Sequence, residues 1–119
     1  MGFNKKWAEA RRFLRRQITL AEDTLGRNSF LTLKIRHRYA IALRNDVPDS
    51  VDDLTEALKI LEDVARRGRR VLGNSHPFLA DEQSWIENTQ EMIRQAELAS
   101  IQTQETAKMR LEDVDAPQS

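Results

Sequence analysis

Apolar side chains return every three or four residues along most of this chain, and the rhythm is interrupted at three places. Trp7, Ala10, Leu14, Ile18, Ala21 and Leu25 form one stripe over five turns, which predicts a first helix from about residue 5 to 25. Asn4 stands where an N-cap is wanted. Phe13 and Leu20 lie off that stripe by about a quarter-turn. A helix apolar on more than one face is expected to pack against two neighbours. Gly26 then follows Leu25, a residue suited to the left-handed conformation that closes a helix.

A second helix is predicted over about 30–44, with Asn28 or Ser29 as its cap. Leu33, Ala40 and Leu43 mark one side of it, and Ile35, Tyr39 and Ala42 the adjoining one. Asn45–Ser50 is the clearest break, because Pro48 disfavours helix at Val47 and the Asn, Asp and Ser residues supply turn chemistry. Ser50 caps a third helix over about 51–72, with Asp53 three residues on in an approximate capping box. Its broad apolar face runs from Leu54 through Ala57, Leu61, Val64 and Gly68 to Leu72, and Gly73 ends it.

Ser75 or His76 caps a fourth helix over about 77–97, with Pro77 in the first turn, where no amide hydrogen is needed. Phe78, Trp85, Thr89, Met92, Ile93 and Ala96 give its stripe. Residues 1–97 are thus expected to form one helical domain. Residues 98–119 are read as a helical extension fraying into a polar, acidic tail as Gln, Thr and Ser accumulate.

Two of the interruptions are alike. Leu25-Gly26 and Leu72-Gly73 each close an amphipathic helix and are followed by a few polar residues and a new helix, with the glycines 47 positions apart (26 to 73). Recurrence at this period marks a helical repeat. The second joint, Leu72-Gly73-Asn74-Ser75-His76-Pro77, resembles the Leu-Gly-x-x-His-Pro segment of the tetratricopeptide repeats of kinesin light chains and their relatives. In the first joint Leu25, Gly26, Thr32 and Leu33 match that segment, while Ser29 and Phe30 stand in place of His and Pro. Glu56-Ala57 and Arg38-Tyr39-Ala40 answer to two further parts of the pattern, so the resemblance spans roughly residues 8–95.

The resemblance implies an all-α solenoid of about four helices in antiparallel pairs, stacked right-handed. The first helix of each pair would line a concave surface that receives extended segments of partner proteins. Lys34, Arg38, Asp81 and Trp85 fall on those first helices and are the candidate groove residues. Arg38 occupies the position where the family carries a peptide-contacting Asn. One and a half repeats fall short of the roughly three a solenoid usually needs. That points to a piece of a longer array or to self-association.

Composition narrows the function more than the fold. The chain is 39% hydrophobic and 32% charged with a formal net charge of zero, a balance suited to long, half-exposed helices. No cysteine is present, which removes thiol catalysis and Cys-type zinc sites. No apolar run approaches the roughly 18 residues of a membrane span, and a cytoplasmic location is expected. His37 and His76 lack the His-x-x-x-His or Glu-x-x-His spacing of a metal pair. With no phosphate loop or nucleophile elbow, no catalytic residue, cofactor or metal is expected.

The charge is unevenly placed. Residues 1–20 carry Lys5, Lys6, Arg11, Arg12, Arg15 and Arg16 against Glu9 alone, while residues 81–119 carry nine acids against Arg94, Lys108 and Arg110. Such asymmetry can steer partners or drive head-to-tail contact between copies. The leading expectation is a non-enzymatic scaffold that binds a peptide or helical protein. The first alternative is an electrostatic binder of nucleic acid or anionic lipid through Arg11, Arg12, Arg15 and Arg16, although nucleic acid is not the expected partner. The second is a spacer or capping repeat with no ligand of its own.

Overall fold

A computed structural model describes residues 5–47 and 50–115, with side chains described for 6–47 and 50–109. The cap at Asn4, the Pro48–Asp49 turn and the last four residues lie outside the described residues. Four helices follow one another: α1 Lys5–Leu25, α2 Phe30–Asp46, α3 Val51–Leu72 and α4 Pro77–Asp115. Backbone packing runs between consecutive helices, α1 on α2, α2 on α3 and α3 on α4. The result is elongated, with extents of 73 × 30 × 19 Å. Its radius of gyration is 19.3 Å, against roughly 13–14 Å for a compact domain of this length.

The joints are built as the glycines require. Gly26 and Gly73 adopt φ of +90° and +85°, a region that side chains with a Cβ rarely enter. Their amides reach back to Glu22 and Arg69 carbonyls at 3.1 Å each, closing the ends of α1 and α3. Ser50 Oγ accepts from the Asp53 N–H at 3.2 Å and satisfies one orphan donor of α3. At the start of α4 it is His76 that caps, its Nδ1 accepting from the Phe78 N–H at 3.1 Å. Ser29 sits at the cap of α2 without a side-chain bond, and Asn28 instead accepts from Arg67 Nη1 at 2.9 Å.

α2 is the buried centre of the stack. Thr32, Leu33, Tyr39, Ala40, Ala42 and Leu43 are all buried, against Leu54, Ala57, Leu61, Val64 and Ala65 of α3 and Leu79 and Ile86 of α4. It also runs two residues past Arg44. The extra turn is held because Asp46, buried at its end, accepts from Arg11 Nη1 of α1 at 2.7 Å. On α1 the predicted stripe faces this core with Leu14, Ile18 and Ala21, but Phe13, Leu20 and Leu25 are exposed, since only one neighbour packs on that helix. Gly68 lets α4 approach α3: a Cβ there would meet Leu79 Cδ2 at 3.0 Å.

Asp63 on α3 ties the central pair together. It accepts from Arg36 Nη1 of α2 at 2.7 Å and from Arg67 Nε at 2.8 Å, and pairs with Arg66. Burial raises its pKa, but the bonds from Arg36 and Arg67 outweigh that and hold it below the ordinary carboxylate value. A depressed folded pKa contributes stability above the ordinary carboxylate range and loses it as pH falls through the folded value. Asp63→Asn should therefore cost about 1–2 kcal/mol at pH 7. The gap from wild type in urea titrations should narrow steadily toward pH 3; a gap independent of pH would mean that the ionised carboxylate contributes nothing.

Candidate functional site

The face shared by α2 and α4 concentrates the unusual chemistry. Glu82, fully buried on α4, meets Nδ1 of the half-buried His37 on α2 as an ion pair rather than an aligned hydrogen bond. Neither carboxylate oxygen takes a hydrogen bond from any other described residue. The attraction is full only when the imidazole is protonated. Phe78 and Trp85 present ring edges to His37 at 6.1 and 5.6 Å between centroids. This is a polar contact inside an aromatic surround.

Two turns further along α2, Arg44 is buried and stacks over the Trp85 ring at 4.7 Å. It donates to Asn88 Oδ1 at 2.6 Å and to Thr89 Oγ1 at 3.1 Å, while burial lowers its pKa. Trp85 is thus clasped between His37 and Arg44 and serves both the core and the face. At the other end, Phe30 meets the rings of His76 and Phe78 edge-on at 5.5 and 5.2 Å. Helical spacing on α2 and α4 therefore places a row of aromatic rings along the contact of these two helices.

Lys34 and Arg38 lie one turn apart on α2 and are both exposed. Lys34 Nζ rests over the Phe30 ring at 5.2 Å. Asp81 is exposed on α4 beside the buried Glu82. All four groove candidates thus fall on α2 and α4, three of them open to solvent and Trp85 half-covered. Glu82 and Arg44 are the residues of this face that the apolar pattern does not reveal. The signal available was the spacing Leu79, Glu82, Ile86, Thr89, a buried stripe in which every second member is polar.

The basic ridge of α1 divides in two. Arg11 bonds Asp46 and lies 3.6 Å from Asp53. Arg15 donates to Tyr39 Oη at 2.8 Å, with its guanidinium 5.7 Å from that ring. Arg12 and Arg16 stay exposed. Two of four arginines therefore fasten α1 to the stack rather than awaiting an anionic partner. Among the described residues, no cluster of three or more His, Asp or Glu is arranged to hold a metal, and no helix is long and apolar enough to cross a membrane.

The family model described as tetratricopeptide repeat matches residues 50–78, covering Ser50, the whole of α3 and the Leu72–Phe78 joint. With the four-helix architecture, this makes the fold an all-α, tetratricopeptide-like helical repeat. Repeats of this type generally mediate protein interactions and are typically without enzymatic activity. Comparison with curated proteins and with solved structures gives no match.

Proposed function

We propose that this chain is a non-enzymatic, cytoplasmic scaffold whose α2–α4 face holds an acidic peptide or helical segment of a partner protein. One observation carries the reading: Lys34 and Arg38 are exposed a turn apart on α2, and Lys34 rests over Phe30, the first of a row of rings that continues through Phe78. Cations beside aromatic edges suit a ligand that alternates carboxylates with apolar side chains. Asp81, across the face, offers a place for a basic residue of the same segment. The Leu72–Pro77 joint, complete in its Leu, Gly, His and Pro, favours the kinesin-light-chain-like form of the repeat.

Titration against acidic–aromatic peptides by fluorescence anisotropy tests this. Lys34→Glu with Arg38→Glu should weaken binding at least tenfold, about 1.4 kcal/mol, with the helical circular dichroism unchanged. Saturable binding indifferent to both substitutions would move the ligand off this face. The electrostatic reading on α1 is separated in the same experiment. If anionic lipid or nucleic acid binds through α1, affinity should fall steeply with salt and vanish in Arg12→Gln with Arg16→Gln.

A further inference from the structure

We infer that the outer face of α1 is the docking surface for the projecting half of α4 from a second copy of this chain. α4 has 39 residues against 21 in α1, 17 in α2 and 22 in α3. Its residues beyond Ala96 are exposed wherever their side chains are described, Leu98, Ile101 and Met109 among them. That half of α4 rises about 27 Å, close to the roughly 32 Å of α1. At the other end of the stack, α1 leaves Phe13, Leu20 and Leu25 between 47% and 59% exposed. Leu20 and Leu25 line an open groove of about 410 Å³ together with Leu31 and Ile35 of α2.

The two faces match in charge as well as in length. Glu9, Arg12, Phe13, Arg16, Leu20 and Asp23 share one side of α1 by helical spacing and are all exposed. Arg94, Glu97, Leu98, Ile101, Glu105 and Lys108 share one side of α4 and are exposed too. Laid parallel with a shift of 85 positions, Glu9 meets Arg94, Arg12 meets Glu97 and Asp23 meets Lys108, while Phe13 meets Leu98. Three of the six facing positions are thus of opposite sign and one pairs apolar groups, while Arg16 faces Ile101 and Leu20 faces Glu105. Flanking charges of this kind set orientation and register between paired helices.

Within one chain, backbone contacts pass from α1 through α2 and α3 to α4, which puts the two faces at opposite ends of the stack. The partner of each is therefore another molecule. Because the two surfaces differ, the contact is head-to-tail and adds copies into a ring or an open chain. This surface is separate from the α2–α4 face and leaves it free for a ligand.

A charge swap that conserves net charge tests the register. Arg12→Glu with Asp23→Lys changes only α1, and Glu97→Arg with Lys108→Asp changes only α4. Exposed ion pairs are individually weak, so sedimentation velocity is followed at low salt up to about 1 mM protein. The wild type should gain mass steadily with concentration, each swapped chain alone should lose that gain, and an equimolar mixture of the two should regain it. A wild type that stays monomeric throughout overturns the inference. So does association unchanged in either swap, or a mixture that stays as dispersed as its components. Circular dichroism of each variant reports whether the helices are intact.

Discussion

Glu82→Ala is expected to lower the unfolding free energy by about 1–3 kcal/mol, the cost of leaving a buried polar group without its partner. Glu82 has no solvent exposure, and the His37 side chain retains only 18%. The truncation therefore leaves an imidazole among Phe78 and Trp85 with no polar partner, beside a void. Urea denaturation at pH 7 measures this, with Glu82→Gln separating charge from volume: it keeps the shape and should fall between the two. A third variant decides whether the pair is intrinsically stabilising. Glu82→Met with His37→Leu fills the site with apolar groups of similar size and should recover most of the loss, because it removes the desolvation cost along with the attraction. If Glu82→Ala unfolds within about 0.5 kcal/mol of wild type, a change typical of inert surface sites, the contact has no energetic role and the packing of α4 on α2 rests on rings alone.

That pair also shows where the sequence stopped being readable. Helix ends were legible because local chemistry decides them. Gly26 and Gly73 take positive φ at the two joints, and Ser50 binds the Asp53 amide, all within a few residues of where the chain turns. The core of α3 was equally plain, since Leu54, Ala57, Leu61 and Val64 recur at helical spacing. Buried charge was not. Arg44, Asp46 and Glu82 look like solvated positions until their partners arrive from 35 to 45 positions away: Arg11 for Asp46, Thr89 for Arg44, and His37 for Glu82. Apolar counting assigns α4 the stripe of Phe78, Trp85 and Thr89; Thr89 is fully buried, but the other turns that enter the core carry Leu79, Glu82 and Ile86.

The candidate site was half-legible for the same reason. Lys34, Arg38 and Asp81 are exposed. Trp85 is not a free groove residue, since the long-range clasp of His37 and Arg44 holds it. The doubled arginines of α1 showed a basic ridge but not its division. Residues 11 and 15 turn toward α2, and residues 12 and 16 toward solvent. That division follows from the direction in which α1 packs, which only the tertiary arrangement supplies.

Leu61→Ala should cost about 2–5 kcal/mol, and it tests whether the stack has one core or several. Leu61 is fully buried in a cluster that joins Tyr39, Ala40 and Leu43 of α2, Ala57 and Ala65 of α3, and Ile86 of α4. Three of those neighbours are alanines, too short to swing into the space left by three lost carbons, so most of the cavity should persist. Native domains are held by only about 5–15 kcal/mol; the loss is thus a large part of the total. If the cluster is one cooperative core, the urea midpoint drops while the slope of the transition is kept, because the same surface is exposed on unfolding. Leu58→Ala is the control: Leu58 packs on the cluster from a half-buried position and should lose less. A shallower slope in Leu61→Ala would mean that α1–α2 and α3–α4 unfold as separate units, as repeat stacks with weak interfaces do. In that case the α2–α4 face would open before the helices melt, and ligand binding there would disappear at lower urea than helical signal.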